Sequence, residues 1–200
     1  MTLFATEYGN TPLSPDEQAE LIPNLATKDE LNEWERQNIL EAYGWALNEK
    51  KIGRRNPISE PLTEPYLREL HRRMFDQTWK LAGHYRTIEK NIGIPFYQIQ
   101  ESLAVLLGDL RFWLENRSFA PDEIAIRLHH RLVFIHPFSN GNGRHARLMA
   151  DVLARRQGRP VFTWGGAELV MEGDFRRSYI EALRAADQNE IGPLLKFARS

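Results

Sequence analysis

A mainly α-helical bundle with one small β-hairpin flap is the fold class predicted by this 200-residue sequence. Three observations predict it. Apolar residues recur at helical spacing along most of the chain, capping signals stand ahead of several of those runs, and only residues 84–98 break the rhythm. With 42% hydrophobic and 26% charged residues the chain can bury a core of ordinary size. We expect an N-terminal extension over 1–55 and a main domain over 56–200.

The elements follow in order. Ser14-Pro15-Asp16-Glu17 is a capping box with proline at the first helical position, predicting a short helix to about Leu21. Thr27-Lys28-Asp29-Glu30 is a second box, opening a long helix over about 28–50. Residues 50–61, basic and rich in Pro and Gly, read as a linker. Thr63-Glu64-Pro65 starts a helix with Tyr66, Leu67, Leu70, Met74 and Phe75 on one face. Residues 84–98 alternate loosely around Asn91, Gly93 and Pro95, the pattern of a short hairpin or extended flap. Helices are then expected over about 99–115, from Pro121 to Ile135, over 142–157 and near 173–186, the last regular segment.

The second helix carries an anomaly. Leu31, Trp34, Ile39, Ala42, Trp45 and Ala46 form its apolar stripe, yet Glu35 and Asn38 fall in the middle of that stripe. A carboxylate aimed at a core needs a cation there.

Bulk numbers exclude several classes. Twenty-six basic against 27 acidic side chains leave a net charge of −1, so no overall field recruits nucleic acid or anionic lipid. The absence of cysteine removes disulfides and thiolate chemistry and suits a reducing compartment. No signal peptide is visible at the N-terminus, and the most apolar runs are too short to span a bilayer, so a soluble cytoplasmic protein is expected, without membrane or direct nucleic-acid binding.

The most informative segment is residues 134–156. A helix stops at His136-Pro137, because the residue before proline is pushed out of the α region. Small turn-formers follow, and a new helix starts near Asn142. Gly141 and Gly143 let backbone N–H groups approach a ligand, and the helix N-terminus adds partial positive charge. Arg144 and Arg147, three residues apart, project from one side of the first turns. These features describe a polyphosphate site, with His136 at its rim to take a proton near neutral pH. A plain Gly-Asn-Gly turn between two helices would read the same on spacing alone.

The string from His136 to Arg147 closely resembles the Fic (Fic/Doc) signature H-x-F-x-[D/E]-G-N-G-R-x-x-R. Trp79 to Arg86, Asn91-Ile92-Gly93 and Tyr179 to Asp187 are similar to further family segments. From about residue 29 onward the chain is most similar to the mobile mystery protein B subfamily, bacterial proteins found on mobile elements beside a helix-turn-helix partner. The resemblance implies the Fic fold and protein adenylylation: transfer of AMP from ATP to a Ser, Thr or Tyr hydroxyl of a target protein. On that reading His136 is the base. Asn142 and the loop N–H groups hold the α- and β-phosphates. Arg144 stabilises phosphate charge, Arg147 holds the γ-phosphate, and Phe138 anchors the loop. Lys90, Asn91, Ile92 and Gly93 belong to a flap, about 86–96, that pairs with an extended target segment.

The family carries Asp or Glu where this chain has Asn140, the position that holds Mg²⁺ between the phosphates. A neutral amide oxygen should hold that cation less firmly, so magnesium borne by ATP is expected. The resemblance also implies an inhibitory helix. Glu35 is the candidate glutamate, Arg147 its expected partner and Asn38 a supporting group, although Leu31 and Arg36 depart from the flanking pattern. Two other readings stay open: a weakly active nucleotide-binding module of a toxin–antitoxin-like pair, and a Fic phosphotransferase. A homodimer is also left open. His71, His129, His130 and His145 are expected to serve packing or loop support. The tryptophans are expected in the core, with Trp164 also a candidate border of an adenine pocket.

Overall fold

The computed structural model describes residues 19–25, 27–48, 63–166 and 173–200. Most of the helix expected over 14–21, and all of the expected 50–61 linker, lie outside them. Among the described residues seven α-helices form the fold: α1 Lys28–Ala46, α2 Glu64–Phe75, α3 Ile99–Asn116, α4 Pro121–Ile135, α5 Asn142–Arg156, α6 Gly173–Asp187 and α7 Gly192–Arg199.

Local signals set the helix ends. Thr27 Oγ1 accepts from the Glu30 N–H at 3.2 Å, and Glu30 Oε2 accepts from the Thr27 N–H at 3.0 Å, completing the capping box of α1. Thr63 caps α2, with Pro65 in its first turn. α1 stops at Ala46, short of the expected limit near residue 50. The segment near 173–186 is not the last regular one: α7 follows it. Its eight residues are too few for a periodicity to stand out, although Pro193 in the first turn was a usable start signal.

α5 is the centre of the bundle. From His145 to Ala154 every residue is buried, so this helix is covered all round, mainly by α4. α2 brings Leu67, Leu70, Met74 and Phe75 against it. α1 docks on α2 through Leu31, Ile39, Ala42 and Ala46. Trp34 departs from its expected core position. It is 45% exposed, because its indole N–H reaches the Gln77 carbonyl at the rim, at 3.1 Å.

The expected hairpin is also corrected. Among the described residues there is no paired sheet, only the isolated bridges Leu21–Trp79 and Tyr85–Phe138. Gly93 at φ +92° bends the 86–96 segment, and Pro95 has no N–H to offer. The carbonyls of Ile88 and Ile94, which a ladder would turn toward a strand, instead accept from the Arg86 guanidinium.

Candidate active site

The site is built where α4 ends and α5 begins. His136 caps α4 at φ +54°, a left-handed conformation that turns the chain sharply away from the helix. Phe138 is fully buried and stacks on His71, with ring centroids 3.7 Å apart. It anchors the loop as the sequence suggests. Gly141 then starts α5 at φ +73°, and a Cβ there would lie 2.4 Å from the Phe75 ring. Only glycine fits that approach.

The Asn142 side chain turns back on its own loop. Its Oδ1 accepts from the Phe138 N–H at 2.9 Å, and its Nδ2 donates to the Phe138 carbonyl at 2.8 Å. Both ends of the amide therefore staple the loop, which gives Asn142 a structural role beside the phosphate contact expected of it. The groups left for an anion are the N–H groups of Asn142, Gly143 and Arg144. As the first three of a helix, they have no partner one turn back.

His71 supports the loop from α2. Its Nδ1 accepts from the Gly83 N–H at 2.9 Å, which makes Nε2 the donor to the Asn140 carbonyl at 3.0 Å. Burial pushes its pKa well below the ordinary value, so it stays neutral. His145 bonds the Leu67 carbonyl, His129 the Tyr179 hydroxyl, and His130 the Asp187 carboxylate. All four serve packing or support, as expected. Trp164 is buried, with its indole N–H on Asp151 and its ring 4.7 Å from His129, so it belongs to the core.

Burial, reinforced by the Arg86 charge, pushes the His136 pKa down to about 4. The imidazole is thus in its proton-accepting form at neutral pH, although less basic than the sequence alone suggests. A hydrogen bond with the Val133 carbonyl engages one ring nitrogen as donor, which leaves the other as acceptor.

Glu35 and Asn38 are buried, 2% and 3% exposed, as the stripe pattern predicts. The partner differs from the expected one. Glu35 Oε2 accepts from Arg144 Nη1 at 2.5 Å, and Oε1 accepts from the Trp79 indole at 2.8 Å. The first arginine of the motif, not the second, meets the carboxylate. Arg144 sits in the half-buried first turn, over the Phe75 ring at 5.1 Å, where Glu35 reaches it. Arg147 lies one turn deeper, 8% exposed, near Tyr179, Tyr43 and Asp151. Asn38 touches neither arginine. It bonds the Arg73 carbonyl and the Gln77 N–H, capping the end of α2 and fixing α1 upon it.

The loop presents no carboxylate for a divalent cation. Asn140 Oδ1 accepts from the Gly141 N–H at 2.7 Å, and among the described residues no cluster of three His, Cys, Asp or Glu side chains could hold a metal. These donors do not make a protein-held magnesium site.

In the flap, Lys90 is partly buried and Asn91, Ile92 and Gly93 are exposed. Sequence reasoning missed Arg86. Its backbone N–H donates to the Pro137 carbonyl at 2.9 Å and its Nε to the His136 carbonyl at 2.8 Å. Nothing in a sequence distinguishes a buried arginine from a surface one.

Residues 61–154 match the Fic/DOC family. The chain carries a Fic/DOC domain. It is 31% identical over 143 residues to the protein adenylyltransferase Fic of Nematostella vectensis, covering 70% of this chain and 32% of that protein. The Aedes aegypti protein adenylyltransferase Fic is 29% identical over 133 residues, 64% of this chain and 25% of the relative. The chain thus spans a third or less of these curated relatives. Among solved structures, BepC from Bartonella tribocorum with bound AMPPNP superposes with a TM-score of 0.65 at 19% identity, covering 93% of this chain and 97% of that one. Fic-1 from C. elegans gives 0.63 at 23%, covering 92% and 51%. The helical arrangement is the Fic fold. No described helix is long and apolar enough to cross a membrane.

Proposed function

We propose that this protein is a protein adenylyltransferase that moves AMP from ATP to a Ser, Thr or Tyr hydroxyl of a target protein. The observation that carries the reading is a neutral imidazole, His136, held at the loop that leads into the unpartnered N–H groups of α5. The names of the 31% and 29% identical relatives support it. His136 takes the hydroxyl proton, the oxygen bonds to the α-phosphorus, and the bond to the bridging oxygen breaks so that pyrophosphate leaves. The α5 N-terminus and Arg144 balance the phosphate charge. Magnesium arrives with the nucleotide, because the loop offers only the neutral Asn140 oxygen, which is already engaged.

The N-terminal helix restrains this activity. Glu35 holds Arg144, and Tyr43, also on α1, lies beside Arg147, so a triphosphate competes with α1 for both arginines. In this reading residues 1–55 are an extension and residues 56–200 the Fic domain. We also infer membership of the mobile mystery protein B subfamily of the bacterial cytoplasm, with a helix-turn-helix protein or a second copy of the chain as partner. The support is the resemblance from about residue 29 onward together with the absence of cysteine.

Incubation with ATP labelled at the α- or the γ-phosphate tests the reaction. Label from the α-position should appear on protein and fall about 10²–10⁴-fold in His136→Ala. Label from the γ-position would make the protein a phosphotransferase. Tight ATP binding with neither label would make it a binding module.

A further inference from the structure

We propose that Arg86 is a positioning residue that pins the target-docking flap to the main chain of the catalytic histidine, so that target and base share one reference frame. The inference rests on the transferase reading above, and nothing in the signature motif assigns this residue. The guanidinium makes three hydrogen bonds to three carbonyls. Nε donates to His136, Nη1 to Ile88 at 3.0 Å, and Nη2 to Ile94. Its side chain has no exposed surface, and its nearest carboxylate, Glu89, lies at 3.9 Å. One planar fork thus joins both limbs of the flap to the residue that must receive the target's proton.

The backbone agrees. The Arg86 N–H donates to Pro137, and Tyr85 bridges Phe138, so the flap is stitched to the loop at the two residues that follow His136. Gly93 lies over the same residue. A Cβ there would come within 2.5 Å of the His136 Cβ and 3.1 Å of Arg86 Nη2. With no strand ladder inside the flap, this side chain replaces the ladder. A displacement of about 1 Å between reacting groups can cost on the order of 10²-fold in rate, which is the scale a loosened flap would reach.

Charge offers a second readout. The charged groups facing the His136 imidazole are Arg86 and Lys90, and both disfavour its protonation. Arg86→Lys keeps a cation but cannot serve three carbonyls in one plane, whereas Arg86→Met removes both fork and charge.

The test uses the full chain. Hydrogen exchange of peptides covering 86–96, self-labelling from α-labelled ATP, and the His136 pKa by NMR are compared in wild type and both variants. Flap exchange should quicken at least tenfold and labelling should fall at least tenfold in each. The His136 pKa should rise in Arg86→Met and hold in Arg86→Lys. Wild-type flap exchange in a folded Arg86→Lys protein would overturn the proposal, as would unchanged labelling. Where neither substitution folds, Gly93→Ala pushes the flap from His136 and should raise exchange in the same peptides; unchanged exchange there counts against the pin. If wild type and His136→Ala both fail to label, the transferase reading fails, and exchange alone decides the role of Arg86.

Discussion

The flap side and the α1 side of the motif loop each bring a buried polar contact to the active site, and the contacts differ in kind. On the flap side Arg86 bonds only neutral carbonyls, all fixed in the main chain. On the α1 side Arg144 bonds a carboxylate, Glu35, carried by a helix outside the motif loop. An anionic phosphate cannot replace three carbonyls around Arg86, but it can replace one carboxylate on Arg144. The first contact is scaffold and the second is exchangeable, although both use the same side-chain chemistry.

The largest expected effect separates them directly. Glu35→Gln keeps an acceptor for the Trp79 indole and removes the negative charge that holds Arg144. Self-labelling should rise at least tenfold, while stability falls by about 2 kcal/mol for the lost charge-assisted hydrogen bonds. Labelling kinetics and a denaturant titration check both. A fall in labelling in the folded variant would make the α1 contact scaffold too, and the contrast with Arg86 would be gone.

Next in size is Gly141→Ala, at the junction both sides share. The added methyl meets Phe75 at 2.4 Å and sits at φ +73°, so overpacking and backbone strain together should cost about 2–4 kcal/mol. ATP binding by calorimetry should weaken in the surviving folded fraction, because Phe75 also carries Arg144. Normal binding would show that Arg144 takes its position from Glu35 alone.

The smallest effect concerns buried side chains that titrate rather than either contact itself. Burial lowers the pKa of His129 to about 3 and those of His136 and His145 to about 4, against 6.5 in an unfolded chain. Between those values the unfolded state binds more protons, so stability is present above about pH 6.5 and is lost as pH falls toward 4. Asp151 opposes this. Burial raises its pKa to about 6, so between its unfolded value of 3.8 and that point the folded state binds the extra proton. Four histidines, His71 included, against one aspartate give a net loss, and the melting temperature should drop by several degrees from pH 7 to pH 5. A flat profile would mean that these imidazoles are solvated and that the site is more open than its packing indicates.

Much of the architecture was readable in the chain. Thr27 with Glu30, Thr63 with Pro65, and Pro121 marked three helix starts by local hydrogen bonding and fixed φ alone. The stripe around Glu35 and Asn38 showed that both would be buried, because helical period is a local property. Partners were not readable. Glu35 meets Arg144 because α1 crosses α2 where the first turn of α5 comes within reach, and no spacing in the sequence encodes that crossing. Asn142 turned back on Phe138 for a similar reason: its amide could face a phosphate or its own loop, and the buried Phe138 backbone needed both of its groups.

The sequence by itself determined the helices, the tight glycine turn, and the histidine and arginines that flank it, since each depends on neighbours within about one turn. Only the tertiary structure decided that the flap is held by Arg86 rather than by a ladder, that Glu35 takes the nearer arginine, and that His136 is neutral. Those outcomes depend on which distant groups share a desolvated space, where an unmet hydrogen bond or charge is costly enough to choose among partners that the chain alone leaves equivalent.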